Sequence, residues 1–219
     1  ISAYKIGSGD ITWSGIVDYI ASKNKPVLLA TGASNMNEVD VAMSILLQRT
    51  NDIVLMQCNT NYTASLGNFK YINLNVLKEY SRKYPDCVLG LSDHTPGHAT
   101  VLGAVALGAR VIEKHFTNNT NREGPDHKFS MDFNSWRNMV NRTRELENAL
   151  GSSTKRVEFN EKETVILQRR SIRTKKDLVI GDQIHENDIE FLRPCPEDAL
   201  PPYELEKILN RELAEDIKS

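Results

Sequence analysis

Five short apolar runs, at residues 3–6, 27–30, 53–57, 88–91 and 111–115, alternate with stretches of helical periodicity at about 12–22, 36–48, 70–83 and 97–107. Each run has the length of a strand. Each intervening stretch is long enough to return the chain to the start of a parallel neighbour. A further helix over 134–150 places Trp136, Met139, Val140, Thr143 and Leu150 on one face. This alternation predicts an α/β fold: a parallel sheet with helices outside it and consecutive strands adjacent. A complete (β/α)8 barrel takes roughly 250 residues, whereas the pattern here fills about 150. The strands therefore form either an open five-stranded sheet or part of a barrel.

The character of the chain changes near Gly151. Gly151-Ser152-Ser153-Thr154-Lys155 reads as a linker, after which the sequence is rich in short strands and turns. Strand-like runs fall at 170–173, 177–182 and 189–194. Pro201-Pro202-Tyr203-Glu204-Leu205 reads as a helix start, and Asn210 as a left-handed residue closing it. This predicts a small separate module of about 60 residues.

Two of the strand-like runs end in the same way. Val88-Leu89-Gly90-Leu91-Ser92-Asp93-His94-Thr95 places Ser92 and His94 on one face. Val111-Ile112-Glu113-Lys114-His115-Phe116-Thr117, which follows it, places Glu113 and His115 on one face. Between them, residues 97–107 are small, apolar and helix-compatible, and Gly108 can stop that helix. The two histidines therefore belong to neighbouring parallel strands at the same edge. An isolated strand-end histidine is usually satisfied by local hydrogen bonds. The repeated arrangement instead points to a metal or acid/base site, of the kind α/β barrels build at strand C-termini.

Composition removes several alternatives. With 27 basic and 29 acidic residues the net charge is −2, so no field for nucleic acid or an acidic membrane is evident. No apolar run approaches the roughly 20 residues of a membrane span. Cys58, Cys87 and Cys195 are odd in number and scattered, which predicts reduced thiols in a cytoplasmic protein. No CxxC, Walker loop or GxGxxG occurs.

Four motifs occur in a fixed order: Tyr4-Lys5-Ile6-Gly7-Ser8-Gly9-Asp10, Leu89-Gly90-Leu91-Ser92-Asp93-His94-Thr95, Glu113-Lys114-His115-Phe116-Thr117 and Gly124-Pro125-Asp126-His127. In these the chain resembles the sialic acid (N-acetylneuraminate) synthase family, which includes the legionaminic and pseudaminic acid synthases. Its tail resembles that family's C-terminal antifreeze-like (SAF) domain. The resemblance implies a TIM barrel, of which this chain carries about the last five βα units over 1–150, a linker over 151–163 and a SAF domain of β-clip type over 164–219. The first three strands and the end of the SAF domain would lie outside the chain.

The implied reaction condenses phosphoenolpyruvate with an N-acetylated hexosamine, N-acetylmannosamine or a 2,4-diacetamido-6-deoxy relative. It yields a nonulosonic acid and phosphate. By resemblance, His94 and His115 are the metal ligands. Mn2+ suits two imidazoles with oxygen donors, and Mg2+ and Co2+ are possible. Lys5, Ser8, Thr60 and Ser92 match phosphate-binding positions. Tyr62, Glu113 and Asp126 match positions at the sugar or beside the metal. Arg193 matches an SAF arginine that reaches the N-acetyl group across a domain-swapped homodimer, although an exposed arginine by itself reads as ordinary surface. The chain departs from the family pattern at Thr63, where a proline is expected, and at Ala30, where a serine is expected. His98 reads as a helix start, His127 as a lining residue without a metal role, and His185 as surface. Two other readings remain: another barrel synthase using phosphoenolpyruvate or a metal-assisted aldol step, and a non-catalytic carbohydrate-binding relative.

Overall fold

The computed structural model describes all 219 residues, which divide into two compact units, Ile1–Gly151 and Ser152–Ser219. The first unit is built on five parallel strands: β1 (Tyr4–Ile6), β2 (Val27–Ala30), β3 (Ile53–Cys58), β4 (Val88–Asp93) and β5 (Val111–Lys114). Their spatial order is their chain order, every neighbouring pair being parallel. Helices α1 (Ser14–Ala21), α2 (Met36–Leu47), α3 (Val76–Lys83), α4 (Ala99–Ala106) and α5 (Phe133–Leu150) follow the strands in turn.

Side-chain alternation divides each strand between two environments. Ile6, Leu29, Leu55, Leu89 and Leu91 pack into one cluster with Val17, Met43, Leu46, Leu77 and Val101 from the helices. The opposite face carries the register rows Ala30–Met56–Gly90–Val111 and Cys58–Ser92–Glu113. The sheet is strongly curled toward that second face. Five flat strands about 4.8 Å apart would hold the edge strands about 19 Å apart, beyond the span of two side chains. Lys5 on β1 nevertheless makes an ion pair with Glu113 on β5 at 2.6 Å. The five strands thus form a half-barrel, with its concave face open.

Local signals set the helix boundaries. Asn35 accepts a hydrogen bond from the Glu38 amide while the Glu38 carboxylate accepts one from the Asn35 amide, which caps α2. Asp132 and Ser135 do the same for α5. Gly108 closes α4 with a φ of 100°, a conformation that favours glycine. Two expectations for this unit need correction. The helical stretch expected at 70–83 is a 3-10 turn, Leu66–Tyr71, followed by the separate α3. Asn73, with φ 50°, breaks the hydrogen-bond ladder between them. On α5 the inward stripe is Trp136, Met139 and Leu146, whereas Val140 and Leu150 are exposed.

The second unit contains α6 (Lys162–Gln168) and an antiparallel pair, β6 (Ser171–Thr174) with β7 (Ile189–Leu192). Its small core gathers Leu178, Ile184 and Ile189. The strand expected at 177–182 is a turn instead. Asp182 accepts from the Val179 amide, Leu178 forms an isolated bridge with Ile217, and Gly181 and Asp182 bond to Leu213 beyond the turn. The helix expected after Pro201 is a 3-10 turn, Pro202–Lys207, and Asn210 has the expected left-handed φ of 59°. No helix of either unit is long and apolar enough to cross a membrane.

Candidate active site

The C-terminal ends of β1 to β5 and the loops that follow them bring nine of the ten site residues read from the sequence to one concave edge. His94 and His115 lie directly beyond the last paired residues of β4 and β5, and their ring centroids are 5.1 Å apart. The His94 ring is buried, and its Nδ1 lies 2.8 Å from the Asn59 carbonyl oxygen. A carbonyl only accepts, so Nδ1 carries the proton and the Nε2 lone pair is left free. Burial, the dominant influence, holds the His94 pKa below its ordinary value, and the neighbouring His115 and Lys5 charges push the same way. The neutral form, the one able to ligate a metal, is therefore favoured.

His115 is less enclosed. Asp126, on the loop after β5, places Oδ2 3.7 Å from His115 Nδ1, close enough for charge interaction but too long for a hydrogen bond. Tyr62, on the loop after β3, sits over His94 at 4.2 Å and edge-on to His115 at 5.9 Å between ring centroids. Partial burial, first among several causes, raises its phenol above its ordinary pKa, so the hydroxyl is a donor. Phe129, which sequence reasoning missed, completes the aromatic enclosure: it is 2% exposed and meets His115 edge-on at 4.9 Å. Its only sequence signal is an aromatic residue standing alone in the polar loop between Asp126 and α5.

Glu113, on β5, lies two residues before His115 and so shares its face. Its Oε1 accepts a hydrogen bond from Lys5 Nζ at 2.9 Å. Its Oε2 is 2.6 Å from the same nitrogen, yet it lacks hydrogen-bond geometry and is shut off from solvent. This oxygen is thus held by the Lys5 charge without a directed donor, on the strand face that Glu113 shares with His115.

A second cluster forms where three strand ends converge on Gly32. Its amide donates to Ser8 Oγ at 2.8 Å. A Cβ at this position would lie 2.5 Å from Thr60 Cγ2, 2.8 Å from Ser8 Oγ and 3.0 Å from Cys58 Sγ, so only glycine allows the approach. Ser8 and Thr60 are thereby held together, with Ser92 in register beside Cys58 and Lys5 at the end of β1. The loop after β3 has its own device in place of the expected proline. Asn61 Oδ1 accepts from both the amide and the hydroxyl of Thr63 and from Asn68 Nδ2. A proline, lacking the amide proton, could not join this network. Ala30, at the other departure, is a buried inner-face residue.

Arg193, the tenth site residue, belongs to the second unit, where it is exposed and donates through Nε to the Gln168 carbonyl at 2.6 Å. His98 stands at the N-terminus of α4 without capping it through its side chain. His127 Nδ1 pairs with Thr117 Oγ1 at 2.8 Å, and His185 is exposed.

No three His, Cys, Asp or Glu side chains converge closely enough to enclose an ion by themselves. Two adjacent imidazoles, one with its tautomer fixed by a backbone carbonyl, nevertheless fit a divalent ion that keeps open positions for substrate.

Known proteins share this architecture. The chain is 36% identical over 217 residues to an uncharacterized protein of Methanocaldococcus jannaschii, covering 99% of this chain and 63% of that one. It is 34% identical over 221 residues to the N,N'-diacetyllegionaminic acid synthase of Campylobacter jejuni, covering 99% of this chain and 65% of the relative. It therefore spans just under two thirds of the length of these relatives. The solved N-acetylneuraminic acid (sialic acid) synthetase of Leptospira borgpetersenii, in complex with citrate, superposes with a TM-score of 0.68 at 27% identity, over 75% of this chain and 56% of that one. Residues 169–219 match the SAF domain, and residues 1–155 match the NeuB family, to which this chain belongs.

Proposed function

We propose that this chain carries catalytic residues of a nonulosonic acid synthase, which condenses phosphoenolpyruvate with an N-acetylated hexosamine and releases phosphate. The observation that carries the reading is the convergence of Lys5, Ser92, Glu113, His94 and His115 on one concave edge, with Ser8, Thr60, Tyr62 and Asp126 around them. Relatives named as legionaminic, pseudaminic and N-acetylneuraminate-9-phosphate synthases support the reaction class.

The residues divide the work by chemistry. Lys5 exchanges Glu113 for the phosphate of phosphoenolpyruvate, and the hydroxyls of Ser8, Thr60 and Ser92 supply further donors. Glu113, once released, accepts from a sugar hydroxyl. Asp126 and Tyr62 orient the sugar's remaining hydroxyls. His94 and His115 hold a divalent cation, with Mn2+ suited to the donor set and Mg2+ or Co2+ able to replace it. When bound, that ion supplies Lewis-acid polarisation of the sugar aldehyde, a contribution of several kcal/mol. A bond forms between C3 of phosphoenolpyruvate and the aldehyde carbon, whose oxygen takes a proton. Water adds at C2, and phosphate leaves as the bond between C2 and its bridging oxygen breaks, giving the 2-keto acid. The aromatic wall of Tyr62 and Phe129 limits stray water around the reacting carbons. Three free thiols fit a reducing cytoplasmic setting.

Phosphate release tests this in the intact protein, given phosphoenolpyruvate and N-acetylmannosamine or its 2,4-diacetamido-6-deoxy relatives in turn. Release should require an N-acetylated hexosamine, should vanish on chelation and should return with Mn2+. His115→Ala should lower kcat/KM about a thousandfold, equivalent to about 4 kcal/mol. A folded, Mn2+-replete protein that releases no phosphate with any sugar of the panel would refute the reading.

A further inference from the structure

Behind the two histidines, on the helix-facing side of the sheet, lies a polar cluster that none of the proposed chemistry uses. Asp93 and Lys114 are the last register partners of β4 and β5, and each side chain is 1% exposed. Lys114 Nζ donates to Asp93 Oδ2 at 2.5 Å and to the Thr95 carbonyl at 2.6 Å. The Asp93 carboxylate also accepts from the Thr95 amide at 3.1 Å and from the Thr95 and Thr100 hydroxyls, at 2.9 and 2.6 Å. Both charges are therefore fully paired. The cluster ties the ends of β4 and β5 to Thr100 of α4.

Its position relative to the histidines follows from the strand repeat. His94 is flanked by Asp93 and Thr95, both bound by the one ammonium group, and that ammonium belongs to the residue just before His115. The β4–β5 ladder ends at Asp93 and Lys114, so no backbone pairing joins the two histidines to each other, although the His115 carbonyl accepts from the Met131 amide at 2.9 Å. We infer that the Asp93–Lys114 pair, with Thr95 and Thr100, is the positioning element that sets the separation and tilt of the His94 and His115 imidazoles. Stability alone accounts poorly for such a pair. Desolvating two charges offsets most of their attraction, and well-packed apolar replacements are often equally stable or more so. What an apolar pair cannot supply is direction: the Asp93 carboxylate fixes the Thr95 amide, the Thr95 hydroxyl and the ammonium at defined angles.

The inference rests on the metal-holding role proposed for the histidines, and its test separates the two. The informative variant in the intact protein is the double change Asp93→Leu with Lys114→Met, which removes both charges together and keeps the bulk. Thr100→Val, which removes one donor, is the milder companion. Mn2+ affinity is measured without substrates from the free-ion EPR signal. The imidazole 15N and 1H resonances are followed in metal-free protein alongside the melting temperature. The double variant should melt at or above the wild-type temperature, bind Mn2+ about tenfold more weakly or worse, and show displaced or broadened His94 and His115 signals. Thr100→Val should weaken Mn2+ binding about threefold. A purely structural pair would change melting and leave the imidazole signals in place. Wild-type Mn2+ affinity with unchanged imidazole signals overturns the inference, whether in a folded double variant or, should that not fold, in Thr100→Val. If the wild-type protein binds no Mn2+, the metal reading fails and the imidazole spectra alone decide the positioning role.

Discussion

A neutral imidazole held in a buried place couples metal affinity to the stability of the fold. His94 is enclosed by Tyr62, His115 and Phe129, and burial chiefly depresses its pKa from the ordinary 6.5. In the unfolded chain the same ring protonates near that ordinary value; in the folded chain it resists until lower pH. Protons therefore favour the unfolded state below about 6.5, so stability is fully present above that pH and falls as acidification approaches the folded pKa. With chelator present, the melting temperature should drop between pH 7.5 and 5.5, and His94→Gln should flatten part of that drop. Gln keeps an amide donor for the Asn59 carbonyl but does not titrate. Identical pH profiles for the two proteins would remove His94 as the source. Other site residues differ in what their surroundings allow. Lys5 and Glu113 are only partly buried, so their ion pair is cheap to open for a phosphate, whereas the 1% exposed Asp93–Lys114 pair is not.

At the scale of elements, the loops are fixed to the strand ends as firmly as the strands are to one another. Gly32 shows this best, because Ser8, Cys58 and Thr60 from two other strand ends leave no room for a Cβ at this position. Gly32→Ala should push the Ser8 and Thr60 hydroxyls apart, raise KM for phosphoenolpyruvate more than it lowers kcat, and cost about 1–3 kcal/mol of stability. An unchanged KM in the folded variant would detach this cluster from phosphate binding. The strands and their order were legible in the sequence because a doubly buried parallel strand is a continuous apolar run, and such runs recur here between helical stretches. The break within 70–83 was not, since Leu74, Leu77 and Tyr80 keep the helical period while the decisive event is a single left-handed Asn73. In the second unit, Leu178-Val179-Ile180 has strand composition, but the Asp182 side chain captures the Val179 amide and makes a turn. The histidine pair could be read from the sequence because both members lie on one strand face. The Asp93–Lys114 pair carried the same 21-residue spacing as His94 and His115. It was overlooked because its side chains alternate to the face where apolar residues are expected. The Asn59 carbonyl left no pattern and Phe129 only a lone aromatic in a polar loop, since loop conformation alone brings them to the imidazoles.

For the molecule as a whole, the open question is how the second unit serves the first. In the proposed function the half-barrel holds a phosphate, a cation and sugar hydroxyls, and a buried acetamido carbonyl needs a donor as well. Arg193, in the SAF unit, has a planar guanidinium suited to such a carbonyl, and its Nε bond to Gln168 fixes part of the side chain while leaving the terminal nitrogens available. We propose that Arg193 acts in a neighbouring subunit, the two chains forming a domain-swapped homodimer. Subunit mixing tests this. Arg193→Ala and His115→Ala each disable a different unit, so a swapped heterodimer pairs the intact half-barrel of one chain with the intact SAF unit of the other. With random exchange of equal amounts, half of the dimers are heterodimers, each with one complete site. Mixed protein should then regain roughly a quarter of wild-type phosphate release, against near-zero rates for either variant alone. A module acting on its own chain predicts no recovery: each heterodimer would hold one site without Arg193 and one without His115. Absence of recovery in proven heterodimers would therefore place Arg193 in the service of its own subunit.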